Sequence, residues 1–147
     1  MILSSLAQHT PCEYEETLLR SLLVYGRACY QLDPTDKLLQ IMTAIEMFAL
    51  RNANEPIQAN VANRLAFAIA EDPTARQDIV NNFRKTYELR SARSHHGKSI
   101  AETETIEQFL RNVWAFFLAA TQGVGRYRTR MEFLAYLDRL KYGHGQP

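Results

Sequence analysis

The chain has 147 residues, 46% of them hydrophobic, and a formal net charge of +1, so it fits one domain burying about 68 to 70% of its unfolded surface. Nearly balanced charge excludes a domain that is basic all over and coats nucleic acid indiscriminately. No run of ~18 uncharged apolar residues marks a membrane span, and MILSSLAQHT lacks the basic flank and apolar run of a signal peptide. Cys12 and Cys29 have no zinc-like spacing. Reduced thiols in a cytoplasm are therefore expected, with a single Cys12–Cys29 bridge as the alternative.

Helical signals run from end to end. A first helix is expected over about 13–31, with Leu18, Leu19, Leu22, Tyr25, Gly26 and Cys29 on one side. Asp33-Pro34 reads as an N-cap followed by a first-turn proline. It opens a second helix, about 34–51, striped by Leu39, Met42, Ile45, Ala49 and Leu50. NANEP breaks it, and a third helix over about 57–70 carries Ile57, Val61, Leu65 and Ala68. Asp72-Pro73 repeats the start signal for a fourth, with Ile79, Val80, Phe83 and Tyr87 inward and a stop at or before Gly97. The fifth, about 102–121, contains FLRNVWAFFLAA, apolar almost all round and expected to be central, with Trp114, Phe116 and Phe117 in the core or at a dimer interface. Gly123 and Gly125 end it, and Met131, Phe133, Leu134, Leu137 and Leu140 stripe a sixth over about 129–141. The reading is one all-α domain over 1–147, a bundle of about six helices.

Charge is segregated along the chain. Arg84, Lys85, Arg90, Arg93 and Lys98 cluster with His95 and His96, RYRTR adds Arg126, Arg128 and Arg130, and acids collect in EYEE and AETETIE. This predicts one cationic face, although solvated arginines entering the last helix are the simpler account of RYRTR. Three charges fall where apolar residues belong, each seven positions after a stripe residue: Glu46 after Leu39, Arg64 after Ile57, Arg90 after Phe83. Buried unpaired charge is costly, so such residues find partners or face a cavity. Glu46 and Arg64, on consecutive helices, are expected to form a structural ion pair, the alternative being stripe edges where their heads reach water.

Arg90 has no obvious partner in the sequence. Beside two histidines it suits an anion, since the guanidinium fork binds phosphate through two parallel hydrogen bonds. Histidine takes and returns protons near neutral pH. Together they could cleave RNA without a metal, the imidazole deprotonating a 2′-hydroxyl and the arginine stabilising the charged phosphorus centre. On an unbroken helix His95 would lie about 140° from Arg90 and His96 about 120° to the other side. Convergence thus requires a helix that ends or bends, or a second subunit. No glycine-rich phosphate loop, carboxylate pair at metal-ligand spacing or serine-nucleophile arrangement accompanies them.

TYELRSARSHHG resembles the R-x(4-6)-H signature of HEPN domains, the higher eukaryotes and prokaryotes nucleotide-binding family, and most resembles the ApeA-like branch. IMTAIEMFALRN is similar to that branch's helix with an embedded glutamate, and VANRLAFAIAED to its R-x-A segment, so the match spans about 33–98. The ordered set is Glu46, Arg64, Tyr87, Arg90, Ser91, His96 and Gly97. The resemblance implies a HEPN-like bundle that forms a homodimer and brings two motifs together. In catalytic members that groove is a metal-independent endoribonuclease, often in toxin–antitoxin or phage-defence systems. It makes Arg90 the motif arginine and His95 or His96 the motif histidine. His96 is preferred because glycine follows it. Arg93, Lys98 and Ser91 would line the phosphate path. No cofactor, metal or membrane is implied, and RNA, a nucleotide, an antitoxin or an effector protein would be the partner. Nuclease members commonly carry Asn, Asp or His directly after the arginine, where this chain has Ser91. The alternatives are a non-catalytic nucleotide- or RNA-binding module and a protein-interaction dimerisation domain, with helices two, four or five as the expected interface.

Overall fold

A computed structural model describes residues 10–91 and 100–143, and among them all regular structure is helical. The elements are α1 (Glu13–Cys29), α2 (Pro34–Ala49), α3 (Ile57–Ile69), α4 (Pro73–Ser91), α5 (Ile100–Thr121) and α6 (Arg130–Lys141). The two Asp-Pro signals act as expected. Asp33 Oδ1 accepts from the backbone N–H groups of Thr35 and Asp36 at 2.8 and 2.9 Å, and Asp72 Oδ2 from that of Ala75 at 2.8 Å. Thr129 starts α6 with a capping box closed by Glu132.

Helix α5 lies at the centre, packing on α4, α3, α1 and α2. Phe109, Val113, Phe116, Phe117 and Ala120 are buried, and Phe48 of α2 meets Phe116 and Phe117 edge-on. The helix is not covered all round, because Trp114 and Leu118 stay about half exposed.

Two apolar faces are rotated from their expected positions. In α1 the buried residues are Tyr14, Leu18, Ser21 and Ala28, while Leu19 and Cys29 are exposed. Serine and alanine are small enough for α2 to approach closely, and that contact selects the face. In α2, Leu38, Ile41, Met42, Ala44, Ile45, Phe48 and Ala49 are buried and Leu39 is exposed. Met131 is likewise exposed at the edge of α6. Cys12 and Cys29 stand at opposite ends of α1 as free thiols, about 25 Å apart at 1.5 Å per residue. A bridge between them is excluded by geometry.

The turn between α5 and α6 depends on two glycines for different reasons. A Cβ at Gly123 would stand 2.5 Å from Tyr14 Oη, and Gly125 has φ +78°, where side chains are disfavoured. No described helix is long and apolar enough to cross a membrane.

Candidate functional site

The site begins with the reason α4 ends where it does in space. Ile79, Val80, Phe83 and Thr86 are buried along one side, and Phe83 packs edge-on against Phe109 of α5. Asn82 fixes the level of the two helices: it donates to the Thr105 carbonyl at 2.9 Å and accepts from Asn112 Nδ2 at 3.1 Å. One turn on, the Thr86 hydroxyl donates to the Asn82 carbonyl and Tyr87 stacks on Phe83. Arg90 follows on the same side, near the end of a helix anchored on its partners.

Arg90 Nη1 donates to Glu46 Oε1 at 2.8 Å, joining the last turn of α4 to α2. Its guanidinium carbon lies 5.6 Å from the Tyr87 ring centroid, within cation–π range. The Arg90 side chain is 30% exposed and that of Glu46 19%. The pair therefore sits at a rim, neither sealed in the core nor free in water. Guanidinium has five N–H donors, and the rest of this fork meets no acceptor among the described residues. Among the described residues the arrangement holds an arginine by one edge, and its other donors have the geometry to bind an oxyanion.

The expected Glu46–Arg64 pair is not formed. Glu46 faces Arg90, and Arg64 turns the other way into a network with loop 50–56 and α6. Arg64 Nε and Nη2 donate to Asp138 Oδ1 and Oδ2 at 2.9 and 3.0 Å. Nη1 and Nη2 donate to Glu55 Oε2 and Oε1 at 2.8 and 2.9 Å, and Nη1 also reaches the Ala49 carbonyl at 2.7 Å. Arg51 adds a bond to Asp138 Oδ2 at 2.7 Å. All five Arg64 donors are taken. Burial opposes its charge, but the Glu55 and Asp138 hydrogen bonds outweigh that and hold it above the ordinary arginine range. Glu55 is held below the usual carboxylate value chiefly by its hydrogen bond from Arg64. Arg64 is a structural tie with no capacity for substrate.

RYRTR also divides. Arg126 is exposed and lies over the rings of Tyr127 and Tyr136, 5.3 Å from each centroid. Arg130 instead donates to the Met47 and Leu50 carbonyls at the C-terminal end of α2, where cationic charge complements the helix dipole. Nor is the cationic face isolated. Because α4 and α5 run antiparallel, the acidic opening turns of α5 lie beside the end of α4 that carries Arg90.

Of the sequence-derived site, Arg90, Glu46 and Arg64 are placed as above, and Ser91 closes α4. Arg93, His95, His96 and Lys98 lie outside the described residues. The sequence reasoning missed Glu55, Asp138 and Arg51, and it read Arg130 as cationic surface where the structure ties it to the end of α2. Asp138 was within reach of the seven-residue argument used for the others, since it lies seven positions after Met131 of the expected α6 stripe. Glu55 had no periodic signal, being in a loop.

No known family profile, curated protein or solved structure matches the chain.

Proposed function

We propose that the protein is a HEPN-like RNA-binding domain that acts as a homodimeric, metal-independent endoribonuclease. The observation that carries this reading is Arg90, braced by Glu46 at 2.8 Å with donors to spare, a few residues before a His-His-Gly sequence. In the reaction His96, with His95 as a neighbouring polar group, takes the proton from a 2′-hydroxyl. The O2′–P bond forms, the P–O5′ bond breaks, and the imidazolium returns its proton to O5′. Arg90 neutralises charge on the phosphoryl oxygens as the phosphorus becomes five-coordinate. Arg93, Lys98 and Ser91 extend the contact along the RNA backbone. An antitoxin or defence partner in a reducing cytoplasm fits this chemistry, since an unrestrained ribonuclease would damage its own cell.

Purified protein is expected to cut single-stranded RNA in excess chelator, leaving cyclic phosphate ends. Arg90→Ala and His96→Ala should each abolish the cut, and intact RNA with wild-type protein would sink the nuclease reading. Ser91, placed where nuclease members carry Asn, Asp or His, favours a second reading in which the groove binds RNA or a nucleotide without cleaving it. Its signature is binding that weakens with salt, as phosphate contacts release counterions, with no product formed.

A further inference from the structure

A cleft of about 160 Å³ opens between α3, the C-terminal end of α5 and α6. It exists because small residues stand where the helices converge: Ala68 of α3 and Ala119 of α5 line it and cannot fill it. Phe67, Phe133 and Leu137 supply an apolar wall. An apolar void of about 150 Å³ accommodates one benzene-sized ring. The rest of the lining is polar, with Tyr127 and Tyr136 partly covered and Gln122 and Arg126 at the solvent edge. An apolar wall with a few fixed polar groups is the make-up of a small-molecule site.

Positive charge gathers around this cleft without a carboxylate to answer it. Arg126 lies over the Tyr127 and Tyr136 rings, 5.3 Å from each centroid, and its guanidinium meets no acceptor among the described residues. Burial pushes the Tyr127 phenol up and outweighs the opposing pull of Arg126 and Arg139, so the group remains a proton donor at neutral pH. Arg76 lies 4.0 Å above the Phe67 ring and donates through Nε to the Ala70 carbonyl at 2.8 Å. Among the described residues, Arg76, Arg126 and Arg139 form no ion pair. Asp138, the carboxylate on this stretch of α6, is already bound by Arg64 and Arg51.

We propose that the cleft is a binding site for a small monocyclic anion, a six-membered ring carrying a carboxylate or a phosphate. The ring packs on the apolar wall in the space left by Ala68 and Ala119, and the anionic group takes charge-assisted hydrogen bonds from Arg126 at the edge. A neutral ring would leave the guanidinium unused, and an anion without a ring would leave the apolar wall wet. The site is separate from the Arg90 rim: Arg76, beside the cleft, and Arg90 lie fourteen residues apart on α4, about 21 Å along its axis. The inference therefore goes beyond the ribonuclease reading and does not rest on it.

The test is titration of the isotope-labelled full chain with phenyl phosphate and with benzoate, followed by amide shifts in nuclear magnetic resonance spectra. Inorganic phosphate supplies the anion without the ring, and benzyl alcohol the ring without the anion. At least one ring anion should saturate with a dissociation constant of about 5 mM or tighter, shifting the amides of Ala68, Ala119, Gln122 and Arg126. Inorganic phosphate and benzyl alcohol should each bind about tenfold more weakly. Arg126→Ala should weaken the ring anion about tenfold, and Ala119→Leu, which fills the cleft, should abolish binding. Arg126 is exposed, so its variant decides the matter if Ala119→Leu loses helix content. No saturation by either ring anion, equal binding of inorganic phosphate, or an Arg126→Ala protein that binds like wild type would overturn the proposal. RNA binding and cleavage by Arg126→Ala should match wild type. Their loss together with ring-anion binding would put the cleft on the RNA path and overturn a separate small-molecule site.

Discussion

Glu46 and Arg90 meet across α2 and α4 with 2.8 Å between Oε1 and Nη1, the one hydrogen bond the guanidinium makes among the described residues. A carboxylate beside a phosphate-binding arginine has two opposed effects. It fixes the guanidinium in place, and it competes electrostatically with an incoming anion. On the proposed ribonuclease reading, Glu46→Ala is therefore expected to leave RNA affinity equal or higher while slowing cleavage, because the arginine loses its orientation. In kinetic terms kcat falls and KM does not rise. Equal loss of binding and rate would instead mean that Glu46 only supports the fold. The stability cost should stay near 1 kcal/mol, as for other partly exposed pairs.

Arg64 lies at the opposite extreme, with a side chain 3% exposed. Truncation to alanine would take from Glu55 and Asp138 the partner that makes four of their hydrogen bonds, leaving only Arg51 to each among the described residues, and removing one member of a buried ion pair costs about 3 to 5 kcal/mol. Arg64→Ala should lower the urea midpoint by far more than Glu46→Ala. Arg64→Lys should recover little, because an ammonium cannot make two forked contacts at once. Denaturant titrations of the three variants check the ranking.

Glu55 gives the fold a pH dependence of known sign. Its folded-state pKa lies below the ordinary value of 4.5. Above that value both folded and unfolded chains carry the ionised carboxylate, and its contribution to stability is fully present. As pH falls below 4.5 the unfolded chain takes up the proton first, so the contribution is lost until pH passes the folded value. Wild type should exceed Glu55→Gln in urea stability at neutral pH, and the gap should narrow as pH falls below 4.5. A gap that persists or widens in acid would contradict the assigned direction.

Local signals carried the helix boundaries, and contacts distant in sequence decided the rest. Asp33-Pro34 and Asp72-Pro73 are legible because a cap and the amides it binds lie within three residues. The α1 stripe was misplaced because Leu18, Leu22 and Tyr25 border two overlapping faces. Only the approach of α2 selects the one containing Ser21 and Ala28. All three misplaced charges were visible by their seven-residue spacing, but their partners were not. Arg64 chose Asp138, 74 residues away, and Arg90 chose Glu46, 44 residues away, through helix crossings that periodicity does not encode.

The glycine at the end of α5 provides a test of how tightly that corner is packed. A methyl group at Gly123 would meet Tyr14 Oη at 2.5 Å and Tyr127 Cδ2 at 2.8 Å. Tyr14 cannot easily retreat: its hydroxyl donates to the Ala120 carbonyl at 2.6 Å, and its ring packs against Phe48 and Phe133. Gly123→Ala should therefore cost about 1 to 3 kcal/mol, the usual penalty for overfilling a packed site. Tyr14→Phe alone should cost about 1 kcal/mol for the lost hydrogen bond. It also removes the oxygen nearest the new methyl, so the two changes should be less damaging together than the sum of each alone. A coupling of at least ~0.5 kcal/mol in a double-mutant cycle would locate the clash at the hydroxyl. Simple additivity would place it on Tyr127.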